Sequence, residues 1–323
     1  MRILVAGGYG LIGHNVVSKL ASQGHLVRII DNKTDYGIIP YDELNYILSE
    51  RKKKIPDTVI THQIDIESNF VNFVFEQFLP EIVIHLASFP RQKVVNSNPQ
   101  QGARVMCEGL LNLLELSVKN RVKKFVYASS SMVYGDFRDD VLEDHDCKPQ
   151  GQYGIMKYFG EKLVEDYSRR NLLKHTIIRP SAVYGELDVE DRVISKFMLA
   201  ALRGEVLKVN GENETLDFTY VEDAADGIVA ATLSDNTDNR TYNITRSHSH
   251  SLLDAAKLAV KIAGRGSIEV CDKDVDFPSR GSLNIDAARR DFEFNPTVDV
   301  EEGFRRYHDW FITSEFWKTN LDK

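Results

Sequence analysis

Cysteine is scarce: Cys107, Cys147 and Cys271 are the only three in 323 residues, they stand far apart, and they form no Cys-x-x-Cys pair with histidines at zinc-ligand spacing. A disulfide framework and a structural zinc site are therefore not expected, and no metal is. No apolar run approaches the roughly 18 residues that suggest a membrane span. No basic start leads into an apolar stretch resembling a secretory signal, so the expected location is cytoplasmic. Positive charge is not in surplus either. Lys plus Arg total 40 against 48 for Asp plus Glu, a formal net charge of −8, which opposes attraction to phosphate backbones and anionic bilayers. Neither nucleic acid nor membrane is an expected partner.

What is present is 42% hydrophobic and 27% charged residues, the composition of a globular chain with a substantial core. Single cores rarely grow beyond about 250–300 residues, so two closely packed lobes are expected. Ile3-Leu4-Val5-Ala6 is a short apolar run ending at Gly7-Gly8, the pattern of a buried strand. Leu11, Ile12, Val16, Val17 and Leu20 then recur at helical spacing, Gly24 gives a stop signal, and Leu26 to Ile30 reads as a second strand. Further strands are expected at Val59–Ile64, Ile82–Leu86, Lys124–Ala128 and Thr176–Ile178, with helices at Phe70–Phe78, Pro99–Lys119 and Tyr153–Arg170.

This alternation predicts an α/β fold, a doubly wound parallel sheet of the Rossmann type over residues 1–180, covered on both faces. Residues 181–323 are expected to form a smaller α/β substrate-binding lobe, with some strands or helices returning to the first domain. Its strand candidates are Val206–Val209, Leu216–Tyr220 and Thr241–Ile244. The segment Tyr41–Ile55 ends in Arg51-Lys52-Lys53-Lys54, which reads as an exposed helix end.

Gly7, Gly10 and Gly13 fall where the first strand becomes the first helix. Glycine there permits a tight turn and close backbone approach to a pyrophosphate, and the helix start offers unpaired N–H groups, Leu11 and Ile12 among them. Asp31 lies at the end of the second strand, 18 residues after Gly13, where a carboxylate can accept from a ribose diol. Its charge would repel a 2′-phosphate, so NAD is favoured over NADP, although Arg28 and Lys33 lie close in sequence. Asp65, after the third strand, reads either as an adenine contact or as an ordinary helix cap.

Tyr153 and Lys157 are spaced i to i+4, so a helix projects both from one face. An unperturbed tyrosine, pKa about 10, is ionised only to about one part in a thousand at neutral pH, and a nearby ammonium favours the phenolate. Ser129-Ser130-Ser131 follows the strand Lys124–Ala128 at the carboxyl edge of the sheet, where doubly wound folds place ligands.

With Asp31-Asn32, His85-Leu86-Ala87-Ser88, Val133-Tyr134-Gly135, Arg179-Pro180-Ser181-Ala182-Val183-Tyr184-Gly185, Asp217-Phe218-Thr219-Tyr220-Val221-Glu222-Asp223 and the stretch from Asn284-Ile285-Asp286 to Phe294-Asn295-Pro296, the chain resembles the extended short-chain dehydrogenase/reductases, in particular the sugar-nucleotide epimerases and dehydratases. The resemblance spans nearly the whole chain. It implies a tightly held NAD, a nucleoside-diphosphate sugar bound between the lobes, and hydride transfer at a sugar carbon, most often C4. In it Tyr153 is the base, Lys157 its electrostatic partner and ribose anchor, and Ser130 the hydroxyl anchor, with Ser131 the alternative. The cofactor contacts it implies are the glycine turn, Asp31, Asn32, Asp65, Ile66, Leu86, Ala87 and Ser88, with Tyr153 and Lys157. It also implies a homodimer through the helices Pro99–Lys119 and Tyr153–Arg170.

The 4,6-dehydratases carry an acidic pair after the catalytic hydroxyl, where this chain has Ser131 and Met132. Neither is an adequate proton-transfer group at neutral pH, which disfavours dehydratases and the related decarboxylases. A 4-epimerase is the first expectation. A net 4-dehydrogenase or 4-ketoreductase would use the same residues, and a non-catalytic NAD-binding regulator is a further alternative. Two departures from the common UDP-galactose 4-epimerases stand out: Ala182 replaces an expected asparagine and Leu216 an expected arginine. Arg192 and Arg280 are the alternative diphosphate ligands, and Arg91, near the carboxyl edge of the fourth strand, is a further substrate contact.

Overall fold

The computed structural model describes residues 1–89, 91–189 and 192–321. Seven strands form the main sheet: β1 (Arg2–Ala6), β2 (Leu26–Ile30), β3 (Ile60–His62), β4 (Ile82–His85), β5 (Lys124–Ala128), β6 (Lys174–Pro180) and β7 (Arg240–Ile244). They pair in the order β7-β6-β5-β4-β1-β2-β3, every pair parallel. The central strands are buried along their length, as a parallel sheet covered on both faces requires. Winding reverses between β1 and β4, so a crevice opens at their carboxyl ends, the usual ligand position in such sheets.

The longer helices are α1 (Leu11–Ser22), α2 (Tyr41–Lys54), α3 (Val71–Phe78), α4 (Gly109–Lys119), α5 (Gly151–Arg169), α6 (Val193–Arg203), α7 (Val221–Leu233), α8 (Leu252–Ala263) and α9 (Val300–Thr313). On one face of the sheet α3, α4 and α5 bury Phe75, Leu113 and Val164. On the other, Val16, Val17 and Leu20 of α1 pack in one cluster with Ile228 and Val229 of α7. A separate apolar cluster joins α6, α8 and α9 through Phe197, Met198, Ala259 and Phe304. Beside it, Val206–Asn210 pairs parallel with Ser267–Cys271. Among the described residues no helix is long and apolar enough to cross a membrane.

Several expected elements differ in extent. The third strand is short because Ile64 N turns back to His62 O (3.1 Å). The helix expected over Pro99–Lys119 contains a π-helical turn at Arg104–Glu108, after which Gly109 passes so near the β3 exit that a Cβ there would lie 2.6 Å from Ile66 Cδ1. The run Leu216–Tyr220 divides: Thr215–Asp217 pairs antiparallel with Ser249–Ser251, whereas Thr219–Tyr220 pairs parallel with Val183–Tyr184. The buried Asp217 carboxylate, accepting from Leu283 N at 3.1 Å, anchors the chain where it changes partner. Thr241–Ile244 lies in β7, the seventh strand of the main sheet.

The basic end of α2 is not uniformly solvated. Arg51 is buried and donates to the carbonyls of Tyr9 and Leu187 at 2.7 and 2.6 Å. With about 3.6 residues per turn, four consecutive side chains cannot share one face, and here the first of them points inward.

Candidate active site

A cavity of about 880 Å³ opens at the carboxyl ends of the sheet strands and is walled on its far side by α6 and the strand residues after it. The glycine turn forms its floor. Gly7 adopts φ +84°, and a Cβ there would sit 2.5 Å from Ala87 N; one on Gly13 would sit 2.1 Å from Gly7 O. Leu86 N and Ala87 N both donate to Ala6 O (2.8 and 2.9 Å), which draws the β4 exit against the turn. Gly10 is the N-cap of α1, and no side chain caps it. A helix start whose N–H groups face a cavity without a side-chain partner suits an anion. The turn, Leu11 and Ile12 therefore fit a dinucleotide pyrophosphate.

Asp31 lines the same cavity. Its Oδ2 accepts from Tyr9 N (2.8 Å) and its Oδ1 from Lys33 N (2.7 Å), which leaves lone pairs on both oxygens for a ribose diol. Burial pushes its pKa up, opposed by those two hydrogen bonds and by the Arg51 and Lys33 charges. Lys33 Nζ lies over the Tyr9 ring, 4.3 Å from its centroid. Asn32, Ile66, Leu86, Ala87 and Ser88 also line the cavity. Asp65 is not among the lining residues: its carboxylate accepts from Asn32 Nδ2 at 3.0 Å, so its observed contact is with the residue that lines the cavity rather than with the cavity itself.

Tyr153 and Lys157 project from α5 into the cavity, with Lys157 Nζ 5.9 Å from the centroid of the Tyr153 ring. Gly154 lets α5 approach the short helix Ser131–Tyr134, since a Cβ would meet Met132 O at 2.8 Å. Lys157 is buried and donates to Ala128 O (2.7 Å). Burial lowers its pKa to about 8 against the opposing pull of Glu161, so near pH 7 the ammonium still predominates about tenfold. Burial raises the Tyr153 pKa, and Arg192 and hydrogen bonding to Ser130 and Ser88 act against that rise.

The serines divide their work. Ser130 Oγ accepts from Met132 N (3.2 Å) and faces the Tyr153 phenol. Ser131 Oγ donates to Ser181 Oγ (3.1 Å) and is almost wholly enclosed, though it lines the cavity. Met132 lines it too, buried and without a titratable group.

From the far side come Arg192 and Arg280. Arg192 Nε lies 3.0 Å from Asp188 Oδ1. Arg280 is half-buried; desolvation lowers its pKa to about 10 with Glu214 opposing, so it stays cationic at neutral pH. Arg91 also lines the cavity and begins the helix Gln92–Ser97 at φ +74°, a left-handed conformation uncommon for a long side chain. At Ala182 the backbone has φ +38°, which asparagine, the residue the resemblance leads one to expect, accommodates more readily than alanine. Leu216 presents an aliphatic wall to the cavity.

Sequence reasoning assigned no role to three groups that hold these residues in place. Arg179 forms a fork onto the buried Glu161 of α5 (2.9 and 2.7 Å), and its Nη1 donates to Tyr134 O (hydroxyl, 2.8 Å) and Glu143 O (2.9 Å). The Tyr134 hydroxyl in turn donates to Asn243 Oδ1 (2.8 Å), tying α5 to β6 and β7. His85 is buried beside Lys157, and burial drives its pKa down to about 3, keeping it neutral. Arg51 and Asp188 line the cavity as well. The Arg-Pro of Arg179-Pro180 was a visible signal; nothing local marked Glu161 or Asp188.

Against known proteins, the chain is 30% identical to a putative UDP-glucose 4-epimerase of Methanocaldococcus jannaschii, over 95% of this chain and 97% of that one. It is 28% identical to a UDP-N-acetyl-alpha-D-glucosaminuronate decarboxylase of Bacillus cytotoxicus, over 96% and 97%. The fold superposes, with TM-score 0.88 and 25% identity over 96% of this chain and 98% of the other, on the UDP-glucuronic acid 4-epimerase of Bacillus cereus crystallised with UDP-glucuronic acid and NAD. The sequence profile of the NAD dependent epimerase/dehydratase family matches residues 3–245, and with the glycine turn, Asp31, Tyr153 and Lys157 lining one cavity, the chain belongs to that family.

Proposed function

We propose that the protein is a sugar-nucleotide 4-epimerase that oxidises and re-reduces C4 of a nucleoside-diphosphate sugar. One observation carries the reading: Tyr153, Lys157 and Ser130 converge on a cavity whose floor is the dinucleotide turn and whose far wall carries Arg192 and Arg280. Tyr153 takes the proton of the C4 hydroxyl. Ser130 donates a hydrogen bond to the same oxygen, and the Lys157 ammonium favours the phenolate and anchors a ribose. NAD, when bound, supplies the hydride acceptor. Arg192 and Arg280 bind the diphosphate, while Ser131, Leu216 and Arg91 bound the sugar side. Because Ser131 is engaged with Ser181 and Met132 cannot move a proton, elimination of water finds no second acid–base pair at this position.

The reading extends to assembly and location. Ile155 and Phe159 are exposed one turn apart on α5, and Leu111 is exposed on α4, an apolar face suited to the same face of a second copy. We assign a homodimer formed there, acting in the cytoplasm. Proton NMR of UDP-glucose and UDP-glucuronic acid incubated with the protein and NAD tests the activity. The expected outcome is the C4 epimer of at least one; release of carbon dioxide or a 4-keto-6-deoxy product would replace the epimerase reading by a decarboxylase or a dehydratase.

A further inference from the structure

The inward end of α2 belongs to a buried charge cluster that the proposed chemistry leaves unused. Arg51 Nη1 donates to Tyr9 O, within the glycine turn, and Nη2 donates to Leu187 O, in the loop between Val183–Tyr184 and α6. One guanidinium thus holds a carbonyl from each side of the cavity. Leu187 adopts φ +64°, a conformation that a branched aliphatic residue keeps only where its surroundings impose it, and the Arg51 bond to its carbonyl is such a restraint. Next to it, Asp188 is buried, its Oδ1 accepting from Val189 N (2.9 Å) and lying 3.0 Å from Arg192 Nε. Arg192 reaches the cavity, and its charge acts on Tyr153. The contacts run from the dinucleotide turn through Arg51, Leu187 and Asp188 to Arg192, which lines the cavity that Tyr153 also lines.

A brace alone would not require a charge. Burying a guanidinium is costly, and apolar side chains pack two segments together without that cost. The Arg51 pKa is pulled down to about 10 by burial, with Asp188 and Asp31 opposing, so the fork remains charged at neutral pH. Its two bonds are directional, so they transmit the placement of one carbonyl to the other.

We propose that Arg51 is a positioning residue that couples the two halves of the site: a dinucleotide on the glycine turn fixes the Tyr9 peptide, and Arg51 passes that order to the Leu187–Asp188 loop and so to Arg192. The ordering cost of the loop is then met once, and the second ligand binds a loop already in place. Linkage makes the effect mutual. Only the choice of UDP as probe rests on the sugar-nucleotide reading.

Hydrogen exchange of the peptide spanning 185–189 tests the coupling without any sugar nucleotide. In the unaltered protein, adding NAD to cofactor-stripped enzyme slows exchange there about tenfold or more. Arg51→Met abolishes this slowing, and Arg51→Lys, which keeps the charge but loses the fork, restores it in part. Titration with UDP gives the second arm: NAD tightens UDP binding by a factor within the usual range for coupled sites, about 5- to 150-fold, and Arg51→Met brings the ratio near one. Asp188→Asn lowers kcat through misplaced Arg192 while NAD affinity stays within about twofold, a split that general loss of stability would not produce. No NAD effect on residues 185–189 in the unaltered protein, or an equal effect in Arg51→Met and the unaltered protein, overturns the coupling. If UDP binds neither form while the exchange result holds, the sugar-nucleotide reading falls and the coupling stands.

Discussion

The two walls of the cavity are built by different means. On the dinucleotide side, the floor is backbone: glycines without side chains, the uncapped start of α1, and a carboxylate held by two N–H groups. On the far side, the wall carries long cationic side chains, Arg192 and Arg280, with the Asp188 and Glu214 carboxylates beside them. Backbone recognition demands a fixed local conformation and hence a short contiguous motif. Side-chain recognition demands only that flexible groups arrive in one place, which distant segments of chain can satisfy. The first wall tolerates almost no added atom; the second should tolerate substitution with graded loss.

The largest effect is expected where the walls meet. Tyr153→Phe removes the proton acceptor and keeps the ring, so turnover should fall about a hundredfold to ten-thousandfold with NAD retained; unchanged turnover in a stopped assay would dismiss Tyr153 as the base. On the backbone wall, Gly10→Val should abolish cofactor retention in purified protein, because its branches crowd the ligand approach at a position where a Cβ would already lie 3.2 Å from Gly7 O. Bound NAD measured spectroscopically after gel filtration decides this. On the side-chain wall, Arg280→Met should raise KM for the sugar nucleotide about ten- to a hundredfold, from a lost charge-assisted bond of about 1.5–3 kcal/mol, while NAD content stays normal. Equal loss of NAD in that variant would erase the distinction between the walls.

A smaller effect separates charge from packing at Lys157. Its folded pKa, about 8, lies below the ordinary lysine value, so between about pH 8 and 10.4 the unfolded chain binds more protons than the folded one and stability rises with pH. The melting temperature of the unaltered protein relative to Lys157→Met should therefore improve from pH 7 to pH 10, whereas turnover should decline above pH 8 as the ammonium is lost. Parallel curves for the two proteins would show that Lys157 is not titrating there. Smallest of all, Lys52→Ala, which removes an exposed partner of Asp57, should leave melting temperature and kinetics unchanged, in contrast to its buried neighbour Arg51. A dependence on Lys52 would show that this exposed cation, too, takes part in the site.

Much of the architecture was legible. The apolar run Ile3–Ala6, the glycine spacing and the position of Asp31 specify a strand, a turn and a carboxylate at the next strand end, all by local geometry. The i to i+4 spacing of Tyr153 and Lys157 placed both on one face of α5, and both line the cavity. The less legible parts depend on partners distant in sequence. Ser130 and Ser131 are adjacent and chemically identical, and their spatial partners separate them: Ser130 faces Tyr153, whereas Ser131 bonds Ser181. Asp65 carries one role that the sequence did not show, as the acceptor for Asn32 Nδ2, a pairing made between residues 33 positions apart.

The sequence by itself determined what depends on neighbours along the chain: strand and helix periodicity, the turn that only glycine can make, and the spacing of the reactive pair. Tertiary structure decided what depends on burial. Arg51 and Lys52 are successive cations in one basic run, yet one is enclosed between two carbonyls and the other extends into solvent. Glu161 became the counter-ion of Arg179 because β6 packs against α5. A charge has no fixed meaning until its solvation and partner are known, because desolvation and pairing act through space and scarcely at all through adjacency in the chain.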